Sequence, residues 1–554
     1  MDRNNSKSAE YLNNKSVVRQ MRMELTKIKE LMRHDNFKKL QTLLAEAPID
    51  VNADLIVEKG PDRSLLTIGC TMSAVRCVKV LLDNGADINK IPVSKANSIE
   101  RDEFRSPFSR ACMSCNTELL QLLIDRGAKL DDSALFIGFD CIEKKHADKR
   151  QAIAAVLVQY ITNISYKERG RTFLHRVCAI GGVDLAKAIL ERGVDRDAIS
   201  NDPSIPDRRD ALGVAAINGH LDIVRLLLEW DKSEPIEMYR VNVAMVDAAM
   251  HGKLNVVQCL TEYGANDQSE ALVGALGCSC SFEIAEYLLD HGANANYVTL
   301  HLNTPLLALV SNTRNDYKVK FQIARLLLAR GADRDAVVCP GKDVVVKAAE
   351  NGSSDLLQLI LEHDQGTPIT INRLNEALLV SLGRNKEVTR CLIDHGADVN
   401  AKNTHGLTPL LLLCGDLSVK QVTTRYLVDY LPTIQLLIER GADMTVVCPA
   451  SGDTALLCTC YYRIIVGLAV STMLLDHGAD VNQANLITGV TPLMRAALAK
   501  DMALVKMYLE YGADVLQLNI QGFTVLDLMD RDKPEYATYV ELCLEYMDAK
   551  PVLK

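Results

Sequence analysis

Residues 392–411 read Leu-Ile-Asp-His-Gly-Ala-Asp-Val-Asn-Ala-Lys-Asn-Thr-His-Gly-Leu-Thr-Pro-Leu-Leu, and variations of this stretch recur along the chain. Gly396 follows an apolar run, where a residue with positive φ ends a helix at little steric cost. Thr408 and Pro409 then supply an N-cap hydroxyl and a proline suited to the first helical position. One helical unit therefore ends and the next begins within about a dozen residues.

Glycines that follow an apolar helix end recur at about 33 residues or at multiples of that period. From Gly478 to Gly512, for example, the step is 512 − 478 = 34 residues. The set is Gly85, Gly127, Gly193, Gly264, Gly292, Gly331, Gly396, Gly441, Gly478 and Gly512. Some intervals between these glycines, and the stretch before Gly85, are longer than one repeat. We expect further units, which lack the glycine, to end there near Ala47, Ile161, Asp231 and Asp364. The chain is therefore predicted to be a repeat array.

A second regularity lies 21 residues before the terminal position of several units, at Ser64, Ser106, Thr172, Asp210 and Thr491. Ser106-Pro107-Phe108, Thr172-Phe173-Leu174-His175 and Thr491-Pro492-Leu493 stand where the ankyrin family has Thr-Pro-Leu-His. The segment 218–227 is similar to that family's inter-helix turn and second helix. The chain thus resembles an ankyrin-repeat protein of about 14 or 15 degenerate repeats.

The resemblance implies an all-α solenoid of helix–turn–helix repeats joined by finger-like β-hairpin loops. We expect a disordered tail over residues 1–16 and one array over residues 17–548 with N- and C-terminal capping repeats, the first part being helical from Val17 to Leu44. Residues 549–554 are a short tail. Two departures stand out: Ile91–Phe104 enlarges a finger loop, and Asp416–Tyr430 lengthens the helices or the turn between them.

The charge pattern argues against nucleic acid as a partner. The net charge is −9, and Lys and Arg are interspersed with Asp and Glu, so no basic stripe faces a phosphate backbone. The polar N-terminus carries no signal peptide. We therefore expect a cytoplasmic protein, with cytoskeletal association as an alternative. The apolar stretch Leu456–Leu475 is interpreted as a helix pair rather than a membrane span, because Thr454 and Gly478 bracket it in repeat register.

Sixteen cysteines invite a metal or redox interpretation, above all Cys112 with Cys115 and Cys278 with Cys280. Repeat register favours a structural role instead. Cysteines recur six residues after the N-cap position, where ankyrin repeats have a small buried residue: Cys70, Cys112, Cys178, Cys414 and Cys460. We predict no metal, cofactor or disulfide. Cys339 and Cys448, in connectors, are candidate reactive thiols.

Motifs for catalysis are missing from the sequence: it contains no Gly-rich phosphate loop, His-Glu-x-x-His or Gly-x-Ser-x-Gly. His291, His395 and His477 each precede a terminal glycine, where the helix dipole favours a partly charged imidazole. The protein is therefore predicted not to be an enzyme.

In the ankyrin family the first helices and finger loops line a concave binding face, and this resemblance points to partner-binding residues. Positions four, seven and eight after the Thr position include Arg110, Arg176, Arg495, Tyr461 and Tyr462. Tyr and Arg are enriched in binding hot spots. Two alternatives stay open: the tyrosines pack beneath their own insertion, and the arginines are paired or solvated surface charges.

Asn400 and Asn482 each end an Asp-Val-Asn connector motif. In the ankyrin family such asparagines can be substrates of an asparaginyl hydroxylase. The alternative is a turn asparagine that bonds its own backbone.

The resemblance implies a protein–protein interaction scaffold or adaptor, acting as a monomer or as a component of a larger assembly. One alternative is the substrate-recruiting receptor of a ubiquitin ligase or a pathogen effector. The other is a cytoskeletal or axonemal structural component.

Overall fold

The computed structural model describes residues 27–549 except 47–48, 53, 56–62, 92–105, 143–146, 169, 200–208, 231–234, 314–316, 337–342, 364–365, 367, 417–423, 461–463 and 530–533. The predicted tail 1–16 and nearly all of the loop Ile91–Phe104 lie outside the described residues. Contacts divide the chain into two compact units, residues 1–267 and 268–554. The single array predicted over residues 17–548 stays a prediction.

The unit of residues 1–267 is a series of helix pairs. Its first helices are Leu65–Thr71, Pro107–Ser114, Asp132–Ile142, Phe173–Ile180, Ala211–Asn218 and Met238–Met250. Its second helices are Phe37–Glu46, Val75–Asp83, Thr117–Asp125, Ala147–Gln159, Val183–Glu191, Leu221–Glu229 and Leu254–Tyr263. A further helical stretch, residues 27–33, precedes the first of these. First helices pack on the first helices of neighbouring pairs and second helices on second helices.

The unit of residues 268–554 has the same organisation. Its first helices are Gln268–Gly277, Pro305–Ser311, Val344–Glu350, Ile371–Ser381, Pro409–Asp416, Ala455–Thr459, Pro492–Leu498 and Val525–Leu528. Its second helices are Phe282–Asp290, Tyr317–Ala329, Ser354–Glu362, Lys386–Asp394, Thr424–Glu439, Ile464–Asp476, Met502–Glu510 and Pro534–Ala549. The all-α architecture is thus the one that the sequence predicts. Within each unit, buried apolar side chains form thin layers between neighbouring repeats.

Side-chain caps start many of the first helices. The hydroxyl of Ser106 accepts a hydrogen bond from the N–H of Ser109 at 3.0 Å, and that of Thr491 accepts from Met494 at 3.2 Å. Each bond satisfies a backbone donor that the first turn leaves unpaired. Asp343 starts its helix in the same way although no Thr-Pro motif marks it.

A left-handed glycine ends most second helices, and Gly396 shows why the residue is required. Its φ is +99°, and a β-carbon added there would have no heavy atom within 4 Å. The need is therefore conformational and not a matter of space. The N–H of Gly396 bonds the carbonyl of Ile393, and the N–H of Ala397 bonds that of Leu392, which is the Schellman arrangement.

Two second helices without a terminal glycine are capped by an arginine from a neighbouring repeat. Arg192 donates to the carbonyl of Val158, in the last turn of Ala147–Gln159, and to that of Ile161 just beyond it. Arg334 does the same for Ser354–Glu362, bonding the carbonyl of Leu361 at 3.2 Å. A guanidinium satisfies carbonyls and complements the negative end of the helix dipole. The eroded repeats thus keep their helix ends closed.

Several sequence expectations need correction or refinement. The helix expected from Val17 to Leu44 is not continuous, since a turn at residues 34–36 separates residues 27–33 from Phe37–Glu46. Asp35, in that turn, has a φ of +44°, which interrupts helical backbone. The insertion after Asp416 lengthens the second helix, because Thr424–Glu439 has 16 residues where Lys386–Asp394 has 9.

The connectors are loops with little regular strand. Among the described connectors, strands occur only in the two-stranded antiparallel ladder of Asp54–Leu55 with Arg63–Ser64. Val447 and Thr454 form a single bridge. Other connectors close through side chains: the amide oxygen of Asn403 accepts the N–H groups of His405 and Leu407, both at 2.9 Å.

The apolar stretch Leu456–Leu475 contains the helix pair Ala455–Thr459 and Ile464–Asp476, as repeat register predicts. In the described part of the chain, no helix has both the length and the apolar character needed to cross a membrane.

Candidate functional site

The cysteines six residues after the N-cap position are buried, as predicted for a close helix contact. Cys70, Cys112, Cys178 and Cys414 are fully covered, and burial raises the pKa of each thiol. Burial likewise raises the pKa of Cys460 to about 11. Within the described residues no group of His, Cys, Asp and Glu side chains could hold a metal ion.

Cys448 differs from the buried cysteines. It is half-buried in a connector, and partial burial opposes ionisation of its thiol. Hydrogen bonds from the Ser451 side chain and backbone outweigh that effect and hold the pKa of Cys448 below its usual value. A reactive role for this thiol stays a prediction, and Cys339 lies outside the described residues.

Arg110 and Arg176, predicted to face a partner, are both buried. Arg110 is 5% exposed, with Nη1 3.8 Å from the sulfur of Met113. Arg176 forms an ion pair with Asp140, and its guanidinium carbon lies 4.5 Å from the ring centroid of Phe136. Cation–π and ionic contacts of this kind join neighbouring first helices. Arg176 therefore joins neighbouring first helices, and partner binding by either arginine stays a prediction.

Arg495 joins a first helix to the connector that begins the preceding repeat. Its Nη1 lies 2.7 Å from Oδ1 of Asp453, a carboxylate that is almost fully buried. The amide of Asn485 donates to the same carboxylate oxygen at 2.5 Å. One buried charge thus fixes two connectors and a helix.

A pair of arginine bridges that the sequence analysis missed has the same function. Arg240, in a first helix, forms ion pairs with Asp197 at 2.7 Å and with Asp210. Asp210 is also the N-cap that accepts the N–H of Gly213 at 2.8 Å. The guanidinium therefore ties a connector, an N-cap and the next repeat together.

The second bridge, in residues 268–554, repeats this design. Arg373 forms ion pairs with Asp335 and, at 2.6 Å, with the N-cap Asp343. A sequence signal exists, since each arginine follows its N-cap aspartate by 30 residues: 240 − 210 and 373 − 343. Each connector also contains Asp-Arg-Asp-Ala, at residues 195–198 and 333–336.

Asn400 and Asn482 bridge successive connectors. The amide oxygen of Asn400 accepts the N–H of Asp443 at 2.7 Å, and its amide nitrogen donates to the carbonyl of Gly441 at 3.2 Å. Asn482 accepts the N–H of Asp514 at 2.8 Å. Both residues thus have a structural role between repeats, and their hydroxylation stays a prediction.

His291, His395 and His477 lie at the ends of second helices, as the sequence predicts. In each, Nδ1 is within hydrogen-bond distance of the carbonyl four residues earlier, 2.7 Å for His395 and Cys391. Each ring is thus positioned to bond a backbone carbonyl in the last turn of its own helix.

Exposed large apolar side chains identify the candidate interaction surface. In the described residues most of them belong to connectors or first helices, and few to second helices. Those on first helices are Met238, Tyr239, Val243, Ile371, Val380 and Leu498. Those on connectors are Ile91, Ile199, Val298, Leu300, Leu302, Leu486, Ile487, Leu516, Leu518, Ile520 and Phe523.

The extreme case is Leu300, which is 97% exposed. Contiguous exposed apolar surface marks interaction sites. The sequence analysis did not find these residues, because a leucine in a loop has no signature that tells exposure from burial. The predicted anchor Tyr461 and Tyr462 lies outside the described residues.

A family model described as 'Ankyrin repeats (3 copies)' matches two ranges of the chain, residues 140–239 and 424–519. Both matched ranges consist of the helix pairs and connectors described above.

The relatives include the ankyrin repeat and KH domain-containing protein mask-1 of Caenorhabditis elegans, 26% identical over 270 residues. The ankyrin repeat and KH domain-containing protein CBG24701 of Caenorhabditis briggsae is 26% identical over 345 residues. A B-cell lymphoma 3 protein homolog of Mus musculus is 38% identical over 89 residues.

The similarity covers only part of each protein. It includes 47% and 59% of this chain for the two nematode proteins but only 10% and 11% of their own length. For the mouse protein it includes 16% of this chain and 20% of the relative. The relatives thus share repeats with this chain.

Proposed function

Since this chain is an ankyrin-repeat protein, we propose that it is a scaffold or adaptor that binds a protein partner with its first helices and connectors. Ankyrin repeats generally mediate protein–protein interactions and are typically not enzymes. A cytoplasmic location and the exclusion of nucleic acid remain predictions from the sequence.

The distribution of exposed apolar side chains carries this proposal. Tyr239 on a first helix is 57% exposed, and Leu518 on a connector is 59% exposed. On second helices, charged side chains such as Lys187 and Lys506 occupy the exposed positions instead. Aromatic and aliphatic anchors are the groups that bind partner proteins, whereas solvated lysines are depleted at interface centres.

The buried arginines support the proposal indirectly. Arg176 pairs with Asp140 of a neighbouring first helix, and Arg495 pairs with Asp453 of a connector, so these ion pairs hold first helices and a connector in fixed positions. A preorganised surface loses less conformational entropy on binding. Tyr461 and Tyr462 remain the proposed anchor for a protein partner.

The test begins with partners that co-purify with the full chain from cells that make it. Each purified partner is then titrated calorimetrically against the intact chain and against the separate variants Tyr239→Glu, Leu300→Glu and Leu518→Glu. Lys187→Glu and Lys506→Glu are controls on second helices. We expect at least one of the first three variants to weaken binding by about tenfold or more, and the controls to bind as the intact chain does.

Two results would contradict the proposal. One is that no purified protein binds the chain directly. The other is that only the second-helix variants weaken binding, which would place the interface on the second helices.

A further inference from the structure

The last two connectors, residues 479–491 and 513–524, form an apolar surface that we call the ledge. Its exposed side chains are Leu486, Ile487, Leu516, Leu518, Ile520 and Phe523. Leu486 is 73% exposed and Ile520 is 68% exposed, so neither contributes to the core. Their clustering on two adjacent loops distinguishes them from the isolated surface leucines found on most proteins.

The two connectors of the ledge touch through their backbones. The N–H of Ile520 donates to the carbonyl of Thr488 at 3.3 Å. A β-carbon at Gly489 would lie 2.7 Å from the nitrogen of Ile520, so only glycine allows this approach. On its other side, the N–H of Leu486 donates to the carbonyl of Gly452 at 2.9 Å. The apolar tips therefore belong to one continuous surface.

The connector 513–524 presents its apolar side chains as an extended chain would. Leu516, Leu518 and Ile520 are exposed, while Gln517 is half-buried and Asn519 is buried. This alternation with a period of two places three apolar side chains on one side of the loop.

Leu516 also replaces a polar bridge. Asn482 stands two residues after Asp480 and bonds the next connector through its amide oxygen. Leu516 stands two residues after Asp514 and is 58% exposed. At this connector, an apolar side chain therefore takes the position from which Asn482 binds a neighbouring loop.

The ledge and the connector before it carry carboxylates and no cations. Residues 442–454, 479–491 and 513–524 contain four aspartates and no Lys or Arg. Asp453 is neutralised by Arg495. Asp443, Asp480 and Asp514 are exposed and accept hydrogen bonds from N–H groups of their own loops. The apolar tips thus have a negative border.

We propose that the ledge binds an extended segment of a partner protein, with alternating apolar side chains and with Lys or Arg at its ends. This proposal rests on the proposed protein-binding function and assigns it a site. An extended segment suits a row of loops that already pair backbone to backbone, and its apolar side chains cover the exposed leucines. Its flanking cations complement the exposed carboxylates of Asp443, Asp480 and Asp514.

The experiment uses fluorescence polarisation of a labelled peptide, Lys-Lys-Val-Thr-Val-Thr-Val-Lys-Lys, added to the full chain. Two control peptides carry Glu for every Lys or Ser for every Val. Leu518→Ser with Ile520→Ser removes apolar surface, and Asp480→Asn with Asp514→Asn removes charge while keeping the acceptor oxygen. Leu544→Ser is the matched control, since it removes an exposed leucine that lies on a second helix, outside the ledge. Melting curves check that each variant folds.

We expect saturable binding of the Lys-flanked peptide and at least about tenfold weaker binding by both control peptides. The Leu518/Ile520 variant should lose about tenfold in affinity. The Asp480/Asp514 variant should lose severalfold and most of the salt dependence. Leu544→Ser should bind as the intact chain does.

The proposal is overturned if the Lys-flanked peptide fails to bind, if the Glu-flanked peptide binds equally well, or if the Leu518/Ile520 variant is unaffected. Self-association that this variant abolishes would assign the ledge to a second copy of the chain and would overturn it too. The protein-binding function fails separately: a partner whose affinity depends on Tyr239 or Leu300 would preserve that function even if the ledge bound nothing.

Discussion

Replacing Arg240 by Met should lower the free energy needed to open the repeats around it. The guanidinium of Arg240 is about one-tenth exposed and pairs with Asp210, which is 9% exposed, and with Asp197, which is 41% exposed. Methionine fills much of the same volume but removes the charge. Asp210 would then be a buried carboxylate without its cation.

The expected loss follows from these exposures. Removing one partner of a fully buried ion pair costs about 3–5 kcal/mol. Here water reaches Asp197, and Asp210 keeps the N–H of Gly213 at 2.8 Å. We therefore expect the lower end of that range, about 3 kcal/mol. Arg126→Met is the matched control, because Arg126 pairs with Asp83 at 2.7 Å where the side chains are 34% and 50% exposed. That change should cost less than about 1 kcal/mol.

Hydrogen exchange measured by mass spectrometry is the assay, because repeat arrays open locally and a single unfolding midpoint would average over them. Amides in residues 211–250 should exchange about a hundredfold faster in Arg240→Met. Adding Asp210→Asn, which keeps the N-cap acceptor, should recover part of the loss. Equal exchange in Arg240→Met and Arg126→Met would refute the argument that burial gives this bridge its strength.

Three further changes test other parts of the structure. At Cys414, Ala should lower the melting temperature slightly and Asp should prevent stable folding of its repeat, because an unpaired charge would be buried there; equal melting of the two variants would show that the site is open to water. Burial lowers the pKa of His175 to about 4, whereas its pKa in the unfolded chain is about 6.5. The unfolded state therefore binds more protons, and stability falls as the pH decreases from about 6.5 to 4. His175→Gln keeps an acceptor for the Thr172 N–H and should show a smaller decrease in urea midpoint between pH 7 and pH 5, whereas an unchanged decrease would mean that this ring does not titrate. Changing Tyr461 and Tyr462 together to Ser should weaken partner binding by about 2 kcal/mol with melting almost unchanged, and loss of folding would instead place both tyrosines in the core.

The repeat pattern could be predicted from the sequence because it depends on local backbone chemistry. Thr491 and Pro492 start a helix, and Gly396 ends one, through bonds within a few residues of each. The burial of Cys414 follows from its register after Thr408. Such positions are set by the repeat itself.

The functions of charged side chains could not be predicted in this way. Arg176 and Arg495 occupy positions that face outward in the family's pattern, yet both lie against carboxylates of the adjacent repeat. Arg240 finds Asp197 and Asp210 at separations of 43 and 30 residues (240 − 197 and 240 − 210). Pairing over such distances is decided by how repeats stack. The recurring spacing of 30 residues and the repeated Asp-Arg-Asp-Ala become informative only once the ion pairs are known.

The interaction surface was the least predictable feature. Leu300 and Leu518 lie in loops, where no sequence pattern tells an exposed leucine from a buried one, and only the fold shows that both are exposed. The contact of Asn482 with the next connector could not be predicted from its local sequence either. Its motif indicates a turn, but its bond to Asp514 depends on the position of the next connector.

Site-specific photo-cross-linking tests the central claim most directly. A benzophenone amino acid is placed singly at Tyr239, Leu300 or Leu518, and at Lys187 and Lys506 as second-helix controls, and the chain is irradiated in cells that make it. The account predicts covalent adducts with another protein from at least one of the first three positions and none from the two controls. Adducts from the controls alone, or from no position, would contradict it.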